Sequence, residues 1–155
     1  MEQRDALNAL GEMKDASYAP ALFTLREHSR DRERKAQLFR AAARLDPARA
    51  MPVAEELLKS SQEEDRTSAI DALAATEQPE ALPRLVHALH DPAFRVRSAA
   101  AYALVALTRT SPSPFGFMWT GQDPASEFDF WSSWLRTHPD LPIHLTRECP
   151  QATKP

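Results

Sequence analysis

The chain has 155 residues, enough for one domain with a continuous core or for an array of short units that share one. Its 43% apolar and 26% charged residues are ordinary for a globular protein, and a formal net charge of −3 gives the whole molecule no electrostatic attraction to nucleic acid or anionic lipid. Three glycines are too few for a fold of tight hairpins, while the abundance of Ala, Leu, Glu and Arg favours helices, so the composition predicts an all-α protein.

The N-terminus and the single cysteine bear on localisation. Residues 1–5 lack the apolar run of a signal peptide, and no stretch approaches the roughly 18 apolar residues of a membrane span. Cys149 has no second cysteine with which to form an internal disulfide or a cysteine-based metal cluster. We therefore expect a cytoplasmic protein that does not enter the membrane.

The first predicted helix runs from Arg4 to about Lys14 and contains the segment Ala-Leu-Asn-Ala-Leu at residues 6–10. Similar segments begin at Ala36, Ala69 and Ala100, so the leading alanines recur at an interval of about thirty residues. Small residues one turn apart in these segments allow neighbouring helices to approach closely, and larger residues fill the space between them. The first helix lacks a preceding partner, which fits either a polar cap or one piece of a longer array.

A second family of segments interleaves with the first. Each member has a proline near its start, at Pro20, Pro52 and Pro83, and these prolines recur at the same interval as the alanines. Proline there costs little because the first backbone N–H groups of a helix have no intrahelical acceptor. Residues 46–47 and 78–79 mark starts in the same way; helices that begin so early would be bent at Pro52 and Pro83. Because apolar residues recur at three- and four-residue spacing in both families, each period predicts a pair of helices.

The residues of the last full unit carry a family resemblance. The segment from Leu82 to Leu104, with Asp91-Pro92 at its turn and Val96-Arg97 after it, resembles a HEAT-type repeat of the short bacterial kind. Residues 64–73 form a weaker copy and residues 31–45 a still weaker one, so the resemblance covers roughly residues 4–108. It implies an α-solenoid of stacked helix-turn-helix units that bury their apolar sides against one another.

The resemblance also implies structural roles for acidic residues at the turns. In HEAT-type repeats the turn Asp and the following Arg commonly bond from repeat to repeat, which would place Asp91 with Arg97, and Asp65 or Arg66 nearby. Arg34 is one position out of register with its counterparts in the later units, so a continuous ladder is not expected. The acids assigned to the turns are Asp31, Asp65 and Asp91.

The repeat period stops after Leu107. Residues 110–114, Thr-Ser-Pro-Ser-Pro, cannot be helical, and residues 115–121 predict an ordered aromatic loop. Asp123-Pro124 predicts the N-cap and first turn of a last helix that His138-Pro139 ends. We expect a cluster of large aromatics to cover the end of the stack, with a ligand pocket or a partner-docking patch as the alternative. This cap cluster comprises Trp119, Phe128, Trp131 and Trp134.

These elements define the predicted organisation. Residues 1–108 form about three and a half HEAT-like units, residues 109–140 a loop and a capping helix, and residues 141–155 a loosely held tail. The fold class is an all-α solenoid with an aromatic C-terminal cap helix.

The second helices of the units carry most of the positive charge. They resemble the helices that line the concave face of such solenoids, so we expect that face to be locally basic and to receive an acidic segment of a partner protein. Turn carboxylates compete for Arg66 and Arg97, whereas Arg40 and Arg44 lie one turn apart and are better placed for a partner. The predicted partner-binding residues are Arg34, Lys35, Arg40, Arg44, Arg66 and Arg97.

The sequence contains no pattern that predicts catalysis. His87 and His90 are neighbours on a helix but lack further ligands for zinc, so neither a metal nor another cofactor is expected. The scattered glycines exclude phosphate-binding fingerprints, and no nucleophile elbow is present. Acidic runs at residues 55–56 and 63–65 lie where a helix and its turn face water, which does not favour acid–base chemistry. We therefore expect the protein not to be an enzyme.

The sequence is compatible with three functions. The leading hypothesis is a non-catalytic protein-interaction scaffold that holds a partner on its concave face. Nucleic-acid binding, including the base-excision activity known in one HEAT-like family, is less favoured because the charge balance is acidic and no catalytic carboxylate in an aromatic pocket is identifiable. A lyase or chaperone for a bilin-like pigment is suggested only by the occurrence of short HEAT-like repeats in such proteins.

Overall fold

A computed structural model describes residues 2–110 and 124–139, and within these ranges the chain is helical with no β-strand. The prediction of an all-α fold is therefore confirmed. The elements are α1 (Glu2–Glu12), a short 3-10 turn (Ala16–Tyr18), α2 (Ala19–His28), α3 (Arg32–Leu45), α4 (Pro47–Leu58), α5 (Glu63–Thr76), α6 (Ala81–Ala88), α7 (Phe94–Thr108) and α8 (Pro124–Thr137).

The helices stack in two layers, and neighbours in space follow the order of the chain. In one layer α1 packs against α3, α3 against α5, and α5 against α7. In the other layer α2, α4 and α6 each pack against the helix that follows them, and α8 packs against α6. This arrangement is the predicted α-solenoid, because each helix pair buries its apolar side against the adjacent pair.

Short polar signals set the starts of several helices as the sequence predicts. Asp31 caps α3 by accepting a hydrogen bond from Glu33 N–H at 2.9 Å, and Asp46 caps α4 by accepting one from Arg49 N–H at 3.0 Å. Helix α6 begins at Ala81, later than the predicted start at Pro79, because Ala81 and Leu82 N–H first close a turn onto Gln78 and Pro79. Pro52 does lie inside α4.

The core alternates small and large side chains along α3, α5 and α7. Alanines at the helix contacts let the backbones approach closely, and larger residues fill the remaining volume. Burying one large apolar side chain contributes roughly 1.5–3 kcal/mol, so each large buried residue of this layer adds substantially to the stability of the stack. The fully buried members include Ala42, Ala69, Ala72 and Ala100 among the small residues and Leu38, Phe39, Ile70, Leu73 and Leu104 among the large ones.

The helices of this layer start at equal intervals along the chain, since the first residues of α3, α5 and α7 are Arg32, Glu63 and Phe94. Residues separated by that interval therefore occupy equivalent places on adjacent helices. We call this relationship the repeat register. It determines which side chains face one another across the layer.

The capping helix α8 covers α6 with aromatic side chains. Trp131 is completely buried, and its ring meets that of Trp134 edge to face at a centroid distance of 5.5 Å. Phe128 meets His90 in the same manner at 4.1 Å. The other member of the predicted cap cluster, Trp119, lies outside the described residues, as do the predicted aromatic loop at 115–121 and the tail at 141–155.

Candidate binding groove

A polar groove crosses α3, α5 and α7 near their N-terminal halves, and it encloses about 620 Å³. We call it the α3–α5–α7 groove. Its floor and walls come from three consecutive helices of one layer, so the repeat architecture itself creates it. The lining residues are Arg32, Glu33, Ala36, Gln37, Arg40, Glu64, Thr67, Ser68, Asp71 and Arg95.

The repeat register arranges the charged side chains of the groove in rows. One row runs from Glu33 on α3 to Glu64 on α5 and Arg95 on α7. A second row places Arg40 on α3 beside Asp71 on α5. Each row thus contains groups of both signs, and the groove has no purely basic or purely acidic row.

The lining carries three arginines and three carboxylates, so its formal charge is balanced. One pair is already formed at the edge, where Arg32 Nη1 lies 3.5 Å from Glu64 Oε2. Both side chains are more than half exposed, at 65% and 55%, so solvent screening leaves this pair worth less than about 1 kcal/mol. The pair can therefore open without much cost when a ligand offers better contacts.

Asp71 lines the groove from its middle helix, α5. Its carboxylate reaches solvent through the groove opening, yet protein surrounds it closely enough that burial raises its pKa above the ordinary value, while the charges of Arg40 and Arg95 oppose that shift. No hydrogen bond or ion pair to Asp71 is formed by any residue that the structure describes. Asp71 is thus a partly desolvated carboxylate with unused acceptor capacity.

The predicted partner-binding residues divide between different environments. Arg40 lines the groove. Arg34 lies exposed at the start of α3, outside the lining, and Lys35 beside it is half-buried. Arg44 packs over α1, where its Cδ would lie 3.2 Å from a Cβ added to Gly11. These side chains do not form one continuous basic surface.

Arg66 links adjacent repeats. Its Nε and Nη2 donate to the two carboxylate oxygens of Asp91 at 2.7 and 2.9 Å, and its Nη1 donates to the carbonyl of Ser60 at 2.9 Å. Burial alone would raise the pKa of Asp91, but the hydrogen bonds from Arg66 and Ala93 N–H, together with the charges of Arg66 and Arg97, bring it below its ordinary value. Arg66 therefore acts here as a structural residue.

Arg97 lies in the equivalent place one repeat later. Its Nη1 donates to the carbonyls of Asp91 and Pro92 at 2.8 and 2.9 Å, matching the backbone contacts of Arg66. The expected contact of Asp91 with Arg97 therefore goes through the Asp91 carbonyl, while the Asp91 carboxylate binds Arg66 of the preceding repeat. Two guanidinium groups therefore contact this one turn, Arg66 at the carboxylate and Arg97 at the carbonyls.

The remaining turn acids have local roles. Asp31 caps α3, and Asp65 accepts a hydrogen bond from the Ser60 hydroxyl at 2.8 Å. Among the described repeats the ladder has one rung. One repeat earlier, Lys35 stands at the register position of Arg66 and Ser60 at that of Asp91, so no carboxylate is present to complete a second rung. The sequence predicted an interrupted ladder, and the interruption comes from the missing carboxylate at Ser60 as well as from the lysine.

Nine of the ten groove residues were absent from the predicted binding set, which shares Arg40 alone with the lining. Seven of the nine are not basic, and the predicted set counted positive charge alone. Applying the repeat register to α3 and α5 would have found them, since it aligns Ala36 with Thr67, Gln37 with Ser68 and Arg40 with Asp71. The residues missed on these grounds are Glu33, Ala36, Gln37, Glu64, Thr67, Ser68 and Asp71, and the arginines Arg32 and Arg95 were also outside the set.

Within residues 2–110 and 124–139, no three His, Cys, Asp or Glu side chains gather into a group that could hold a metal ion. His87 and His90 are both exposed on the face of α6 and the turn after it. None of the described helices has the length and apolar character that crossing a bilayer would need.

The two-layer stack and its interrepeat Arg66–Asp91 bond define a helical-repeat protein of the α-solenoid class. Residues 25–105, just over half of the chain, match the family model for HEAT repeats. The chain belongs to the HEAT-repeat family, which confirms the resemblance seen in the sequence.

One curated relative has a name that bears on function. The chain is 31% identical over 107 residues to the bilin biosynthesis protein PecE of Mastigocladus laminosus, an alignment that includes 69% of this chain and 40% of that protein. The chain thus spans less than half of the length of the relative. No solved structure matches the chain significantly.

Proposed function

We propose that the protein is a non-catalytic interaction module that binds a segment of a partner protein in the α3–α5–α7 groove. The observation that carries the proposal is the groove itself, a concave polar surface built by three consecutive repeats. Helical-repeat proteins use such extended concave surfaces for binding, because stacking the units creates them without any cost to the core.

The chemistry of the lining favours a chain segment over a small apolar ligand. Small-molecule sites are mostly apolar with a few polar groups, whereas six of the ten lining side chains here are charged. Ala36 is the one wholly apolar side chain in that lining. A polar peptide can satisfy these groups through its backbone and side chains together.

The balanced charge also bears on the kind of partner. A phosphate backbone would meet Glu33, Glu64 and Asp71 as well as the arginines, so the groove does not favour a uniformly anionic ligand. The groove lining therefore does not favour nucleic-acid binding. It favours a partner segment that carries both signs of charge over the acidic segment that the sequence suggested.

A steric block tests the proposal. Ser68→Trp fills the groove from α5 and Gln37→Trp fills it from α3, while Ser133→Trp places the same bulk on the exposed surface of α8. Immobilised wild type and Ser133→Trp should retain the same protein from an extract of the source organism, and both groove variants should lose it. Circular dichroism must first show that each variant keeps the wild-type helicity and melting curve.

The same protein retained by both correctly folded groove variants would contradict the proposal. A partner identified in this way is then produced in pure form and titrated against each variant by calorimetry. A loss of binding in the groove variants but not in Ser133→Trp would support the groove as the binding surface.

A second candidate function follows from the relative. The match to a bilin biosynthesis protein suggests a module that binds or presents a bilin. The groove arginines would donate hydrogen bonds to the propionate carboxylates of such a ligand. Mixing the purified protein with biliverdin should then shift and sharpen the visible absorption band, and Ser68→Trp should prevent the shift. An unchanged spectrum at high protein concentration would remove this candidate.

A further inference from the structure

The middle of the α3–α5–α7 groove has a charge arrangement that is more specific than its overall balance. Asp71 on α5 has Arg40 on the α3 side, and Arg95 on the α7 side acts on it electrostatically. Arg95 belongs to the row of Glu33 and Glu64, but its charge reaches Asp71, so Asp71 is a negative group with one positive group acting on it from each neighbouring helix. A ligand that matches this positive, negative, positive order must present negative, positive and negative groups in turn.

We propose that Asp71 is the specificity-determining residue of the groove and receives a lysine or arginine side chain of the partner segment, while acidic residues on either side of that basic residue approach Arg40 and Arg95. This inference deepens the proposed function and rests on it. The occupant is a mixed-charge protein segment with a basic residue between acidic ones.

The unused acceptor capacity of Asp71 supports this assignment. Burial raises the pKa of its carboxylate, and no described residue donates a hydrogen bond to it. A cation placed there would recover the electrostatic energy that the local surroundings do not supply, because charge-assisted hydrogen bonds are about twice as strong as neutral ones. The other carboxylates of the groove already have contacts: Glu33 accepts from Gln37 at 3.1 Å, and Glu64 pairs with Arg32.

Uniform charge of either sign fits less well. A segment with acidic residues alone would place a carboxylate next to Asp71, and one with basic residues alone would meet Arg40 and Arg95. Like charges brought together in a partly desolvated site are unfavourable, and this repulsion gives specificity. The groove therefore selects a partner by the order of charges along its chain, and not by its net charge.

Peptide selection tests the inference without a known partner. A phage library of short random peptides is selected against wild type, Asp71→Asn and the blocked variant Ser68→Trp. Asp129→Asn, which changes an exposed carboxylate on α8, is the matched control. Wild type and Asp129→Asn should enrich peptides with Lys or Arg flanked by Asp or Glu, and Asp71→Asn should lose the preference for the basic residue.

The outcomes separate the two proposals. Peptides that bind wild type but not Ser68→Trp, and that contain no favoured basic residue, would overturn the role of Asp71 and leave groove binding standing. Enrichment of the same peptides by Ser68→Trp, or no enrichment by wild type, would overturn both. Enrichment of uniformly acidic peptides would support the simpler basic-face hypothesis and reject this one.

A thermodynamic cycle then measures the contact directly. For an enriched peptide, Asp71→Asn should raise Kd about tenfold, and replacing the peptide's basic residue by Gln should do the same on wild type. The two changes together should cost no more than either alone, because each removes the same ion pair. Additive effects would show that the basic residue binds elsewhere and would overturn the assignment.

Discussion

Arg66 of one repeat binds both carboxylate oxygens of Asp91 in the next, with N–O distances of 2.7 and 2.9 Å. Its third nitrogen binds the carbonyl of Ser60 in the turn of its own repeat. The guanidinium thereby joins the turns of two successive repeats, and both paired side chains are nearly buried, with exposures of 12% and 11%. Breaking this contact should have a larger effect than breaking an exposed pair, since an unpaired buried charge is costly.

Asp91→Ala should lower the free energy of unfolding by about 2 kcal/mol, because it leaves Arg66 partly buried without its carboxylate. Urea denaturation followed by circular dichroism measures the change. Asp129→Ala is the control, and this exposed substitution should change stability by less than about 0.5 kcal/mol. Equal stability of Asp91→Ala and wild type would show that the rung contributes nothing.

The Arg66–Asp91 pair also predicts a pH dependence. The folded-state pKa of Asp91 is lowered, so its contribution to stability is fully present above the unfolded-state value and is lost as the pH falls through the folded-state pKa. The stability difference between wild type and Asp91→Asn should therefore shrink as the pH is lowered from neutral to strongly acidic. Urea midpoints measured across that range provide the test, and a difference that grows in acid would contradict the assignment.

Asp71 should behave in the opposite way. Its folded-state pKa is raised by burial, so its ionised form disfavours the folded state at neutral pH. We expect Asp71→Asn to raise the melting temperature slightly at neutral pH, by an amount equivalent to about 0.5 kcal/mol or less because the side chain also reaches solvent. Differential scanning calorimetry at neutral pH measures this gain, and a clear loss of stability would show that Asp71 has a structural partner.

Trp131 should hold the capping helix in place. Its side chain is fully buried between α8 and the rest of the stack, so Trp131→Ala should cost about 3–5 kcal/mol locally. Hydrogen exchange should accelerate in α8 and α6 and change little in α3, because stability in repeat arrays is transmitted mainly between neighbours. Uniform acceleration along the chain would indicate a single cooperative unit. Arg136→Ala, an exposed change on the same helix, should leave exchange unchanged.

The architecture was predictable because a period of about thirty residues constrains the whole stack. Pro20, Pro52 and Pro83 lie in α2, α4 and α6, and the Asp46-Pro47 signal marked the start of α4 correctly. The Gln78-Pro79 signal predicted the start of α6 slightly too early, because a hydrogen-bonded turn at these residues precedes the helix. Local hydrogen bonding of this kind is decided by geometry that spacing alone does not contain.

The groove was less predictable because helix membership does not fix the direction of a side chain. Lys35, Arg66 and Arg97 share one register position, where Arg66 and Arg97 contact the turns that join the two helices of a repeat. Arg40 shares its position with Asp71 and lines the groove. All four basic residues lie on second helices, so a prediction that counted charge by helix placed the turn contacts and the groove on one surface. The carboxylates that balance the groove could be found only after the helices were aligned residue by residue.

Hydrogen–deuterium exchange of the protein with and without its purified partner tests groove binding most directly. Binding in the α3–α5–α7 groove predicts slower exchange in the N-terminal halves of α3, α5 and α7, with little change in α2, α4 and α6. Protection confined to α2, α4 and α6, or to α8, would contradict groove binding, because the partner would then occupy a different surface.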